Sequence, residues 1–113
     1  TRDAWRPLIE GFLRTSKQLR GVVQLVDARH PPSGDDLRMM DFLASLGVPT
    51  VVVATKVDKL SRSERGPALT GLAAQLGIDD DQLIPFSART GEGRDELAQA
   101  VVSLLAQPSW RDV

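Results

Sequence analysis

Thr50-Val51-Val52-Val53-Ala54-Thr55-Lys56-Val57-Asp58 decides how this chain folds. A β-branched run as dense as residues 50–54 reads as a buried strand of a parallel sheet. The polar residues Thr55, Lys56 and Asp58 follow at its carboxyl end. In open α/β sheets that end is where ligands bind.

Outward from this strand, helices and strands alternate. Trp5, Leu8, Ile9, Phe12 and Leu13 recur at spacings of three and four, which predicts an amphipathic helix over roughly 3–18 with Asp3 as its N-cap. After Leu19-Arg20-Gly21, the apolar run Val22-Val23-Gln24-Leu25-Val26 is a strand leading into Asp27-Ala28-Arg29-His30. Two prolines keep His30-Pro31-Pro32-Ser33-Gly34 out of a helix. A second helix starts at Asp35 or Asp36, turns Leu37, Met40, Leu43 and Leu46 inward, and closes at Gly47 and Pro49. Ser61-x-x-Glu64 is a capping box for a third helix with Leu69, Leu72, Ala73 and Leu76 on one face. Gly66-Pro67 is expected to delay its start, and Gly77 to stop it. The acidic turn Asp79–Asp81 precedes a third strand, Leu83-Ile84-Pro85-Phe86. A last helix, from about Gly93 to Ala106, turns Leu97, Val101, Leu104 and Leu105 inward. The tail beyond Pro108 is expected to fray, with Trp110 available to dock back. This order predicts an α/β fold with parallel strands, right-handed crossovers and helices on both faces. Three strands are few, since about 5–6 are usual.

The chain has 113 residues, the size of one domain. Hydrophobic residues make up 42%, enough for a core, and with two Trp and three Phe the packing falls to Leu, Val and Ala. The formal net charge is −1 with signs mixed along the chain, so composition gives nucleic-acid binding no support. The absence of cysteine removes disulfides and thiolate metal sites, and one histidine cannot build a His-rich metal site. No apolar stretch approaches the ~18 residues of a membrane span, and no signal-peptide core opens the chain. A cytoplasmic protein is expected. The first residue is Thr rather than Met, as expected of a fragment or a processed product.

Each strand ends in polar residues on one side of the sheet: Asp27 to His30, Thr55 to Lys59, Ser87 to Arg89. Such ends are polar in most α/β proteins, so a lone Thr-Lys-x-Asp divides evenly between that plain reading and a binding site. Ser87-Ala88, one βα unit later, tips the balance. Together Thr55-Lys56-Val57-Asp58 and Ser87-Ala88 resemble the [N/T]KxD and SA motifs that read the base in the small-GTPase superfamily. The resemblance implies a role for each residue. Guanine offers two donors, N1–H and the 2-amino group, which the Asp58 carboxylate can accept together. Its O6 needs a backbone N–H nearby, and the small Ala88 allows that approach. Lys56 can lay its methylenes along the ring while its ammonium stays in water. Ser87 and Thr55 can tie the two loops together by hydrogen bonds. Such a site rejects an analogue lacking the donor, because its own polar groups are left unpaired.

A narrower likeness covers about residues 3–106. The helix Trp5-x-x-Leu8-Ile9-x-x-Phe12-Leu13, the segment Leu25-Val26-Asp27-Ala28-Arg29-His30-Pro31, Asp36-x-x-Met39 and Thr55-Lys56-Val57-Asp58-Lys59-Leu60-Ser61 resemble the bacterial EngB/YihA type of ribosome-biogenesis GTPase. This implies a three-layer, P-loop-NTPase-like G domain, of which residues 1–113 are the C-terminal part with the last three parallel strands and about four helices. It implies GTP or GDP as ligand, with Mg²⁺ only in the intact parent. It also implies a large-ribosomal-subunit precursor as partner, and a part in large-subunit assembly and in normal cell division and septation. The intact protein would bind and hydrolyse GTP. This chain alone is not expected to, since it holds no GxxxxGK[ST] run to cradle phosphates. Asp27 is followed by Ala-Arg-His rather than the DxxG pattern that senses the γ-phosphate, and no switch threonine precedes it. Gly91-Glu92-Gly93 is a turn before a helix. No catalytic residue and no metal ligand is therefore expected here.

Two other classes compete. A nucleotide-free α/β interaction module would use the same fold as a docking surface. A phosphoacceptor receiver domain would need an acidic pair on an earlier strand and a lysine after the last, which Pro85-Phe86-Ser87-Ala88 does not supply. His30 stands alone, so a structural or solvent role outweighs a catalytic one; on their loop, Arg29 and His30 are placed to meet a partner. Lys59, Arg62 and Arg65 read as a solvated basic face. Without the parent's first strands, the Val22–Val26 strand would keep an open edge and the Trp5–Leu13 helix an uncovered face. Self-association through that edge is expected.

Overall fold

The computed structural model describes residues 2–108, with side chains from Pro7 onward. The readings placed on the side chains of Trp5 and Trp110 lie outside that range. Three strands, β1 (Val22–Asp27), β2 (Thr50–Thr55) and β3 (Leu83–Pro85), form a parallel sheet in the order β1-β2-β3. Helix α1 (Arg2–Thr15) precedes them, α2 (Gly34–Leu46) and α3 (Arg62–Leu76) are the crossovers, and α4 (Arg94–Ala106) follows β3. The fold is the expected α/β arrangement of three parallel strands with four helices among the described residues.

Capping chemistry sets the helix boundaries. The Ser33 hydroxyl accepts from the Asp36 N–H at 3.0 Å while the Asp36 carboxylate accepts from the Ser33 N–H at 3.0 Å. This reciprocal box starts α2 at Gly34, earlier than expected, because the prolines lie just outside it. The expected box on α3 is present, with Ser61 accepting from Glu64 N–H at 3.2 Å and Glu64 from Ser61 N–H at 3.0 Å. With the start fixed at Arg62, Gly66-Pro67 does not delay α3; the helix runs through Pro67. The missing donor costs about 3 kcal/mol in a helix interior, and the buried face of Leu72, Ala73 and Leu76 offsets it. Helix α1 already includes Asp3, which is therefore not its cap, and it stops at Thr15, whose hydroxyl donates back to the Gly11 carbonyl at 2.8 Å.

One sheet face presents Val26, Val52, Ala54 and Leu83 to Leu72, Ala73 and Leu76 of α3, with Met40 of α2 packed alongside. A smaller cluster of Leu13, Leu43 and Val48 joins α1 to α2 beside Val22. Strand alternation turns the buried Val53 and Ile84 to the other face, where α4 lies against β2. Gly93 lets α4 begin directly under β3: a Cβ there would stand 2.1 Å from the Pro85 carbonyl oxygen, and its φ of +81° suits glycine. Two expected inward residues point outward, Leu105 of α4 at 66% exposure and Leu37 of α2 at 39%. No described helix is long and apolar enough to cross a membrane.

Candidate functional site

The site grows from the end of β2. Lys56 adopts φ 63°, ψ 31°, the one left-handed non-glycine residue among those described. Such a residue is strained by about 1–3 kcal/mol, and strain of this kind gathers at functional positions. The turn drives Val57 into the core, where it is 1% exposed and its N–H donates to the Phe86 carbonyl at 3.2 Å. With Val57 inward, Lys56 extends into solvent and Asp58 sits half-buried at the carboxyl edge.

β3 delivers the partner. Phe86 N–H donates to the Ala54 carbonyl at 2.8 Å, and the next residue, Ser87, is fully buried. Its hydroxyl donates to Asp58 Oδ1 at 2.8 Å and accepts from Thr90 N–H at 3.1 Å. Its N–H donates to the Glu92 carbonyl at 3.0 Å, and its own carbonyl accepts from Gly91 N–H at 2.8 Å. Ser87 is thus saturated, which is how a buried polar residue is tolerated. The Ser87 hydroxyl holds the Asp58 carboxyl below the usual range, helped by the backbone N–H of Asp58 and by Lys59 and Arg89, against the opposing effect of burial. Ala88 is exposed on the same loop, and its N–H makes no hydrogen bond among the described residues.

Thr55 departs from expectation. Its hydroxyl donates to the Val26 carbonyl at 3.2 Å, so it ties β2 to β1 and not to the Ser87 loop. The reason is register: Thr55 lies opposite Asp27 at the β1 side of the central strand. Ser87 alone among the expected site residues bridges the two loops.

The structure adds a charged group left out of the expected site. Arg29 grips Asp27 through Nε to Oδ1 at 3.1 Å and Nη2 to Oδ2 at 2.9 Å, while Arg29 N–H reaches Oδ1 at 2.9 Å. Lys56 Nζ stands 3.8 Å from Oδ2. The Arg29 hydrogen bond holds the Asp27 carboxyl far below its ordinary value, again against desolvation. No sequence signal marked this group, because the register that sets Asp27 opposite Thr55 appears only in the folded sheet. His30 is exposed, and its N–H donates to the Asp27 carbonyl at 3.4 Å.

The edge therefore offers a charged carboxylate, an unengaged N–H at Ala88 and a cation between them and Asp27. It can accept from adjacent donors on a planar ligand while donating to a neighbouring acceptor. No group of three or more His, Cys, Asp or Glu is placed to hold a metal ion among the described residues.

No family model matches the chain. The probable GTP-binding protein EngB of Gemmatimonas aurantiaca is 59% identical over 107 residues, covering 95% of this chain and 52% of that protein. The protein of the same name from Bacillus subtilis is 40% identical over 105 residues, covering 92% and 54%. The chain spans about half the length of the curated relatives it matches. Among solved structures, a probable GTP-binding protein EngB superposes with a TM-score of 0.71 at 22% identity, covering 91% of this chain and 63% of that one. Translation elongation factor SelB from Methanococcus maripaludis, in its apo form, gives 0.65 at 24%, covering 90% and 24%. At these identities the structural likeness speaks for the fold.

Proposed function

The chain belongs to the EngB-type GTP-binding proteins, and we propose that residues 1–113 are the base-reading, C-terminal part of their G domain. The observation that carries this reading is the 2.8 Å bond from the buried Ser87 to Asp58, which locks the two motif loops to each other. In the proposed complex Asp58 accepts from guanine N1–H and the 2-amino group. Ala88 N–H donates to O6, and the Lys56 methylenes cover the ring face. Thr55 secures the floor of the site through β1.

Phosphate binding, Mg²⁺ binding and water activation fall to the half of the relatives that this chain does not span. The intact protein then binds and hydrolyses GTP in the cytoplasm, acts on a large-ribosomal-subunit precursor, and is needed for normal cell division and septation; family resemblance supports these roles. Base contacts alone must overcome an association cost of roughly 4–15 kcal/mol, so the isolated chain binds nucleotide weakly and hydrolyses none.

The test uses a protein of the relatives' full length. Asp58→Asn replaces a carboxylate acceptor with an amide that also donates, which suits the 2-oxo group of xanthine. GDP affinity should fall about tenfold to a hundredfold while xanthosine diphosphate gains. Unchanged GDP preference in calorimetry would remove Asp58 from the role. Absence of guanine nucleotide binding by the unmodified full-length protein would favour the nucleotide-free interaction module.

A further inference from the structure

Outside the base-facing edge, Arg65 of α3 and Glu92 of the loop after β3 form a bidentate pair. Arg65 Nη1 donates to Glu92 Oε1 at 2.8 Å, and Nη2 meets Oε2 as the second arm. The main chain of each residue is wired to one of the two motif loops. Arg65 N–H donates to the Ser61 carbonyl at 3.0 Å, and Ser61 caps the helix that follows the Asp58 turn directly. The Glu92 carbonyl accepts from Ser87 N–H at 3.0 Å, and its N–H donates to the Thr90 hydroxyl at 3.2 Å. The links close a ring: Asp58 to Ser87, Ser87 to Glu92, Glu92 to Arg65, Arg65 to Ser61, and back along the chain to Asp58.

The Asp58–Ser87 bond and the bond from Val57 N–H to the Phe86 carbonyl join neighbouring residues at the root of the two loops. A further link set apart from that root fixes the angle between the loops, and a guanidinium–carboxylate fork is directional where a lysine would give only a point charge. We propose that Arg65 and Glu92 are positioning residues for base recognition, holding the Ser87-Ala88 loop at the angle at which Asp58 and the Ala88 N–H can meet one base together. This rests on the base-reading assignment above and extends it to a pair that never touches the ligand. Both side chains are about one-third exposed, so the pair adds little to global stability. Its effect belongs in selectivity rather than in melting.

The experiment compares GDP with inosine diphosphate, which lacks only the 2-amino group, in the full-length protein. Arg65→Ala, Glu92→Ala, the charge-preserving Arg65→Lys and the shape-preserving Glu92→Gln should each lower the ratio of the two affinities by about threefold to tenfold. Melting temperatures should stay near that of the unmodified protein, and the charge-swapped double variant R65E/E92R should recover part of the lost ratio. If the unmodified protein discriminates and every variant keeps its ratio, the positioning role is wrong and the base-reading assignment survives. Equal weakening of both ligands overturns it as well. If the unmodified protein does not discriminate, both assignments fall.

Discussion

The two faces of the sheet are built from similar apolar residues and end in different states. Towards α2 and α3, Val26, Val52, Ala54 and Leu83 are all 4% exposed or less. On the opposite face, Val53 and Ile84 are sealed where α4 runs, yet Val23 and Leu25 of β1 are 39% and 58% exposed. The exposed stretch continues into a groove of about 370 Å³ between Phe12, Leu19 and Val23 on one side and Val101, Leu104 and Leu105 on the other. Burial here follows helix coverage, not strand hydrophobicity. β1 also pairs only with β2 among the described strands, so its outer edge and one face are open together. Apolar patches are common at protein interfaces.

The largest test of the contrast is a cavity on the closed face. Leu72→Ala should lower unfolding free energy by about 2–5 kcal/mol, because its surroundings are packed on all sides. Chemical denaturation measures it, and a loss below 1 kcal/mol would mean that the closed face is looser than its burial indicates.

Acid tests how β1 is held where burial is incomplete. The folded-state pKa of Asp27 is depressed by Arg29, and that of Asp58 by Ser87. The stability each contributes is present above the unfolded carboxylate value near 4, and it is lost as pH falls through the folded value. Denaturation midpoints should therefore drop between pH 5 and pH 2, and Asp27→Asn should flatten that slope. An unaltered slope in the variant would assign the acid sensitivity elsewhere.

The smallest effect on stability is expected on the open face. Leu25→Lys should change unfolding free energy by about 0.5 kcal/mol or less, while reducing self-association of the isolated chain in light scattering at micromolar concentration. A monomer with or without the substitution would remove the open face as the cause of association.

Much of this architecture was legible residue by residue. The Thr50–Ala54 run could be nothing but a buried strand, and the Ser61-Glu64 box announced its helix. Lys56, Asp58, Ser87 and Ala88 stood out as a paired motif. Ser33 was hidden behind two prolines, although a cap needs only the residues that follow it. Leu37 and Leu105 were misplaced because a stripe gives the width of an apolar face without saying which flank a neighbour covers. The partners of Thr55, Arg29 and Arg65 were beyond sequence reasoning for a related reason. Arg65 and Glu92 are 27 residues apart, and only the packed fold decides which of several nearby charges a guanidinium meets.

The left-handed backbone at Lys56 has a consequence for anyone who would engineer this chain. Glycine is at ease there, whereas a lysine is held uphill by about 1–3 kcal/mol. A search for hardier variants would find this position early, and its gain in robustness would come with deletion of the one cation, among the described residues, that lies beside Asp27 without hydrogen bonding to it. At residue 56, endurance and chemistry select for different amino acids.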